Sequence, residues 1–294
     1  MMFSAVIFAL AQLVADPPHV CDPCDEWNEP VAPFRVYGNS WFVGTAGLGS
    51  VLVTSPEGHI LIDGGLPQSA PLIAEHIAEL GFRLEDIKLI VNSHTHYDHA
   101  GGIAALQRAS HARVAASPAS KEALERGGPT PADPQFGFGS KANDTTPVQN
   151  VQVVRDGETL NVGKLAITAH FTPGHTPGGT TWTWRSCEAD RCLDLVYADS
   201  LNAVSAPGYR FSEGERAAVL ERSIAVIEGL PCDLMLGAHP VFFDMQAKIA
   251  AIKADPAKNA FIDATACRTY AAGARERLKA RLDEEGAAQA RATR

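Results

Sequence analysis

Between positions 94 and 99 the chain reads His94-Thr95-His96-Tyr97-Asp98-His99, three histidines and a carboxylate within six residues. Neutral imidazole is the commonest metal ligand in proteins, and zinc accepts imidazole nitrogen and carboxylate oxygen in one site. Two more histidines stand in comparable settings. His175 lies in Thr172-Pro173-Gly174-His175-Thr176-Pro177-Gly178, where two Pro-Gly pairs fix a tight loop. His239 closes the apolar run Leu234-Met235-Leu236-Gly237-Ala238. A lone loop histidine is usually just solvated, but here a ligand cluster already exists. Six ligands make two groups of three with coordination positions left for water, as in catalytic rather than structural zinc. The other class of reading is a zinc-binding module without catalysis, which would hold metal and turn nothing over.

Side chains so far apart in sequence need elements that bring them together. The motif follows Leu89-Ile90-Val91, a buried strand by its composition, and precedes 100–106, a helix start. Open sheets carry their chemistry on such loops. Short strands are expected at 34–37, 41–43, 50–54 and 59–63 between Gly, Asn and Pro signals. A helix is expected over 68–80, with Leu72, Ile73, His76, Ile77 and Leu80 on one face and Gly81 as its stop. The second half repeats the theme, with strands at 151–154, 165–170, 181–184 and 193–197 and a helix at 213–228. Strands then helix, twice, predicts an α/β fold of two sheets packed face to face with helices outside. Trp182 and Trp184 alternate with threonines and are assigned to sheet packing rather than to a substrate. His59, His76, His111 and His170 are assigned to the fold. Asp63, ending a strand near the cluster, is expected to orient a ligand imidazole through its second ring nitrogen. Residues 273–291, dense in Arg and Glu, read as a solvated helix that covers the fold and then frays.

Composition narrows the partners. The chain has 294 residues, 46% of them hydrophobic, and no linker-like stretch, so residues 16–294 are expected to form one domain. A net charge of −9 speaks against a nucleic-acid surface. No segment beyond the N-terminus is long and apolar enough to cross a membrane. Residues 1–15 are almost wholly apolar and stop at Asp16-Pro17-Pro18, like a secretory signal ending in Leu13-Val14-Ala15, although the basic start is missing. The other reading of this stretch is a short buried strand or helix. Six cysteines beside His and Asp ligands suggest disulfides and an oxidising compartment, here the periplasm. Cys187 and Cys192 flank a polar turn between strand-like runs and are expected to close a hairpin. Cys21 and Cys24 leave two readings, a bridge or a Cys-x-x-Cys metal site to which only His19 could add.

Taken together, the chain resembles metallo-β-lactamase-fold hydrolases, above all the third subclass of the class B β-lactamases. The matching pieces are the 94–99 motif, Thr172-Pro173-Gly174-His175, Tyr197-Ala198-Asp199-Ser200-Leu201, Ala206-Pro207-Gly208-Tyr209 and Ala238-His239-Pro240, within roughly residues 24–285. His-x-His-x-Asp-His marks only the superfamily, which includes thioesterases, lactonases and nucleases. The Asp-Ser-Leu segment and Asp133-Pro134-Gln135-Phe136-Gly137 are more specific.

The resemblance implies an αββα sandwich holding two Zn2+ ions, one on His94, His96 and His175 and one on Asp98, His99 and His239. It implies hydrolysis of a β-lactam amide (penicillins, cephalosporins, carbapenems), hence antibiotic resistance, by a metal-bound hydroxide. Three neutral imidazoles leave an ion its full charge, which lowers the pKa of a bound water to about 7. Asp98 would accept that water's proton as well as ligate. Ser200, Asn202 and Gln135 would meet the substrate, though Asn202 replaces the subclass's second serine. The protein is expected to be a monomer. The rival is a lactonase or thioesterase of the same fold, in which an acid bridges the metals at the place of Asp199. Adjacent strand residues face opposite ways, so only one of Asp199 and Ser200 should point at the metals, and Ser200 is the expected one. The resemblance also pairs Cys232 with Cys267. Some relatives bridge the cysteine matching Cys24 to a position that is Ala46 here, which leaves Cys21–Cys24 as the default.

Overall fold

A computed structural model describes residues 13–292. The first half runs α1 (Cys24–Trp27), β1 (Phe34–Tyr37), β2 (Ser40–Phe42), β3 (Val51–Val53), β4 (His59–Ile62), α2 (Ser69–Glu79), β5 (Ile87–Val91), α3 (Tyr97–Ala100), α4 (Ile103–Ser110), β6 (Arg113–Ala116), α5 (Pro118–Arg126) and α6 (Ser140–Asn143). The second half runs β7 (Gln152–Val153), β8 (Thr159–Val162), β9 (Leu165–Phe171), β10 (Thr180–Glu188), β11 (Arg191–Ala198), α7 (Arg216–Gly229), β12 (Leu234–Gly237), α8 (Met245–Ala254) and α9 (Ala266–Ala292). Strands β1 to β7 form one sheet in that order, antiparallel as far as β4 and parallel beyond it. The other sheet has the order β12-β11-β10-β9-β8, antiparallel except for the β11–β12 pair. The expected αββα sandwich is present.

Period-two burial explains the layering. Val51, Val53, Ile60, Ile62, Leu89 and Val91 share a core with Ile167, Ala169, Trp182, Trp184, Leu195 and Tyr197 of the facing sheet. Their alternates Leu52, Leu61 and Ile90 pack instead with Ile73 and Ile77 of α2 and Leu106 of α4. Trp182 joins the sheets directly: it is fully buried, and its indole N–H donates to the Asn92 carbonyl at 3.0 Å. Trp182→Ala would cost about 3–5 kcal/mol, as for other large core truncations. Trp184 donates to Ser40 Oγ at 2.9 Å. Both tryptophans are packing residues, as expected.

The expected helix over 68–80 is α2, and Gly81 follows it with φ 84°, a left-handed stop that glycine adopts without strain. The C-terminal helix departs from expectation. It starts at Ala266, not 273, and buries a stripe of Cys267, Tyr270, Ala271, Ala274, Leu278 and Glu285. Small residues on that stripe were masked by the surrounding Arg and Glu, so the helix read as solvated. Strand β8 and strand β6 were not anticipated either. All three expected disulfides are formed, Cys21–Cys24, Cys187–Cys192 and Cys232–Cys267, which removes the Cys-x-x-Cys metal reading. Of the 1–15 signal segment, residues 1–12 lie outside the described residues. No helix among the described residues is long and apolar enough to cross a membrane.

Candidate metal centre

The loops that follow β5, β9 and β12 meet at one edge of the sandwich and bring all six expected ligands together. Beyond β5 the chain is bolted to Asp63, whose Oδ1 accepts from the Ser93 N–H and whose Oδ2 accepts from the Ser93 hydroxyl, both at 2.6 Å. Asn92 Nδ2 donates to the His94 carbonyl at 2.6 Å and fixes the next turn. His96 has an extended backbone at the start of α3, which then carries Asp98 and His99 side by side.

His94, His96 and His175 each offer a ligand atom within 4.8 Å of the others, and so do His94, Asp98 and His99. His239 completes a second trio. Its Nε2 stands 3.2 Å from His99 Nε2 and 3.5 Å from Asp98 Oδ2, while His99 Nε2 is 3.1 Å from Asp98 Oδ2. Donors placed about 2.0–2.1 Å from a tetrahedral Zn2+ stand roughly 3.3 Å apart, so this triangle has the size of one ion's coordination face.

The far side of four of the five rings, all but His99, explains why these nitrogens converge. His94 Nδ1 lies 2.9 Å from Asp199 Oδ1, and His96 Nε2 lies 3.2 Å from Asp133 Oδ1. His175 Nδ1 faces the Asn202 carbonyl at 2.8 Å, and His239 Nδ1 faces the Gly47 carbonyl at 3.1 Å. An acceptor behind a ring fixes the proton there and leaves the front nitrogen as a lone pair, the usual outer support of metal-bound histidine. His94 Nε2, the front atom, is buried and has no hydrogen-bond partner. Burying such an acceptor unpaired is costly, and a cation would satisfy it. The residues therefore fit Zn2+.

For three of the rings the electrostatics agree. Burial and the neighbouring imidazoles hold His94 well below the ordinary histidine value. Burial, then His96, lowers His175 to about 3, and burial, then His99, lowers His239 to about 4. All three are neutral near pH 7, the form that ligates. Burial would raise Asp98, but His99, His239 and His96 hold it far below the usual carboxylate range. Burial would lower His99, but Asp98 and Asp63 outweigh it and raise the ring. Burial and Asp63 push Asp199 well up, so its charge depends on positive charge placed nearby.

The expected accessory residues fall as follows. Asp63 Oδ2 faces His99 Nδ1 at 3.9 Å, beyond hydrogen-bond reach, so it acts on that ring through charge, while its bonds go to Ser93. Asp199 grips His94 from behind. The alternation argument fails for Asp199 and Ser200 because β11 ends at Ala198 and neither residue is on a strand. Ser200 Oγ and Asn202 Oδ1 are buried without partners. Gln135 Nε2 lies 3.4 Å from His96 Nδ1. His59, His76, His111 and His170 all stay outside the cluster. Sequence reasoning missed Asp133, Gly47 and Asn202 as supports of ligand rings. Asp133 carries a signal in its own loop, whereas a backbone carbonyl carries none.

Gly47 is held from the N-terminal side. Its N–H donates to the Trp27 carbonyl at 3.1 Å, and a side chain on it would strike Trp27 at 2.5 Å, so only glycine lets the two backbones close. The Trp27 indole also lies 5.3 Å from the His239 ring.

Comparisons with known proteins place this geometry. The sequence profile of the metallo-beta-lactamase superfamily matches residues 49–183. The solved structure of the Rm3 metallo-beta-lactamase is similar at 50% identity and TM-score 0.87, covering 91% of this chain and 99% of that one. MEM-A1, a subclass B3 metallo-beta-lactamase from a soil metagenome library, is similar at 49% identity and TM-score 0.85, over 89% of this chain and 99% of that one. Among curated relatives, the acyl-coenzyme A thioesterase MBLAC2 of Bos taurus is 29% identical over 51% of this chain and 58% of its own length. The hydroxyacylglutathione hydrolase of Rhodopseudomonas palustris is 28% identical over 58% of this chain and 53% of its own. The chain thus spans little more than half the length of the curated relatives it matches.

Proposed function

The chain belongs to the metallo-beta-lactamase superfamily, most like its B3 members, and from that premise we propose that it hydrolyses the amide bond of β-lactam antibiotics with two Zn2+ ions. Penicillins, cephalosporins and carbapenems are the substrate class, resistance is the consequence, and the periplasm is the place. Three disulfides suit that compartment. One observation supports the substrate above the others. The carboxylate that a lactonase or thioesterase of this fold would set between its metals is Asp199, and here it is bonded behind His94.

His94, His96 and His175 would hold one ion, and Asp98, His99 and His239 the other. When bound, the ions supply an acidified water and positive charge for the carbonyl oxygen and the departing nitrogen. The chain's own groups do the rest. Asp98 points Oδ2 at His99 and His239, and its second oxygen would accept a hydrogen bond from the attacking water and aim its lone pair, without serving as a strong base. The Ser200 hydroxyl, buried without a partner, would donate to the substrate carboxylate. The Asn202 amide would reach it only through its N–H2, and Gln135 approaches from its loop beside His96.

A parallel assay tests this, using a chromogenic cephalosporin, an acyl-homoserine lactone and an acyl thioester, with metal analysis of the same sample. Cephalosporin turnover should vanish in EDTA and return with zinc. Zinc-loaded protein that turns over only the lactone or the thioester would overturn the substrate, and full activity in excess chelator would overturn the metal.

A further inference from the structure

Tyr270 belongs to neither trio and stands on α9, outside the second sheet. Its hydroxyl donates to the Asp199 carbonyl at 2.8 Å and accepts from the Leu201 N–H at 3.1 Å. Those are the peptide groups on either side of Ser200. One phenol therefore pins both peptide planes that set the direction of Ser200, in a segment that no strand ladder supports because β11 has already ended. The same segment carries the Asp199 side chain to His94. The Tyr270 ring also packs on Phe242 at 5.7 Å, and Phe242 stands edge-on to His239 at 6.0 Å. Cys267, one helical turn earlier, is bridged to Cys232 just ahead of β12, which fixes the helix at this height. Phenylalanine would fill the same buried space. The hydroxyl is needed only for the two backbone groups.

We propose that Tyr270 is a positioning residue for the metal centre. It fixes the turn from Asp199 to Leu201, and with it the support of His94 and the placing of Ser200, and it links that turn through Phe242 to His239. This rests on the metal-dependent reading of the site, but not on the choice of substrate.

The test uses the full chain with Tyr270→Phe, loaded with cobalt in place of zinc. A changed d–d absorption spectrum at saturating cobalt is expected, together with a KM for the cephalosporin raised about tenfold, the factor that goes with one lost hydrogen bond, and a smaller change in kcat. A side chain that only holds the fold would lower the melting temperature and leave the cobalt bands alone. Wild-type bands with wild-type KM in a folded Tyr270→Phe protein would overturn the proposal. Phe242→Leu gives an independent reading if Tyr270→Phe does not fold: changed bands are expected, and unchanged bands would remove the link to His239. If the wild-type protein turns over no β-lactam, the substrate reading fails while the cobalt spectra still decide the role of Tyr270.

Discussion

The two trios use the same kinds of side chain and are held in opposite ways. Around His94 and His96 acids stand behind the rings, Asp199 at 2.9 Å and Asp133 at 3.2 Å, the Asn202 carbonyl backs His175 at 2.8 Å, and only imidazole nitrogens face inward. In the second trio the acid is itself a ligand atom, Asp98, and the rear supports are weaker. His239 has a carbonyl at 3.1 Å, and His99 has only Asp63 at 3.9 Å. The His94 side chain is 1% exposed and that of His239 16%. On the proposed reading, a cation in the first trio would keep its charge for acidifying water, and one in the second would be partly neutralised and more open, suited to meet a substrate and let a product go.

Equivalent truncations in each trio test that contrast most severely. His175→Ala should lose one ion and lower kcat by about a thousandfold, at the upper end of what one electrostatic partner supplies, with His239→Ala costing less. Steady-state kinetics with metal counting checks it, and equal losses would erase the difference between the trios. Next in size is Asp199→Asn, which keeps the shape but replaces an acceptor oxygen. It should weaken binding of one ion about 10–100-fold in a chelator competition, as loss of outer support does elsewhere, and leave the other ion in place. Ser200→Ala should raise KM more than it lowers kcat, and an unchanged KM would remove Ser200 from the substrate's contacts.

The smallest effect lies away from both trios. Glu285 accepts from the Phe211 and Ser212 N–H groups at 2.9 and 2.8 Å and from Arg281 at 2.8 Å. Burial would raise its pKa, but these donors hold it down to about 2. Its folded value lies below the unfolded one, so its stabilisation is complete above about pH 4.5 and is lost as pH falls toward 2. Glu285→Gln should therefore cost roughly 1–3 kcal/mol in urea unfolding at pH 7 and progressively less in acid, with turnover per folded molecule unchanged. A cost that stays constant down to pH 3 would contradict the assigned charge.

The sequence was most legible where side chains ligate. The 94–99 motif, His175 and His239 announce themselves through residue type and through the strand ends that precede them, and the structure brings all six together. Legibility falls where the backbone does the work. The carbonyls of Gly47 and Asn202 support two of the rings, yet neither residue type signals that role. Asp199 was visible as a rival bridging acid, but its true partner depended on where β11 stops, which is a matter of one residue. The two packed sheets followed from short strand runs and the strands-then-helix repeat, with the αββα sandwich implied by the resemblance, whereas β6 and β8 carry too short a pattern to stand out, and the buried stripe of α9 hides among charges.

Gly47 and His239 touch across 192 residues of chain. A growing polypeptide that has emerged only as far as α7 owns the 94–99 motif and His175 but lacks the ring that completes the second trio. No half of this protein, made alone, can close that pair. The second trio is therefore complete only when the final quarter of the chain has docked against a glycine laid down near its beginning.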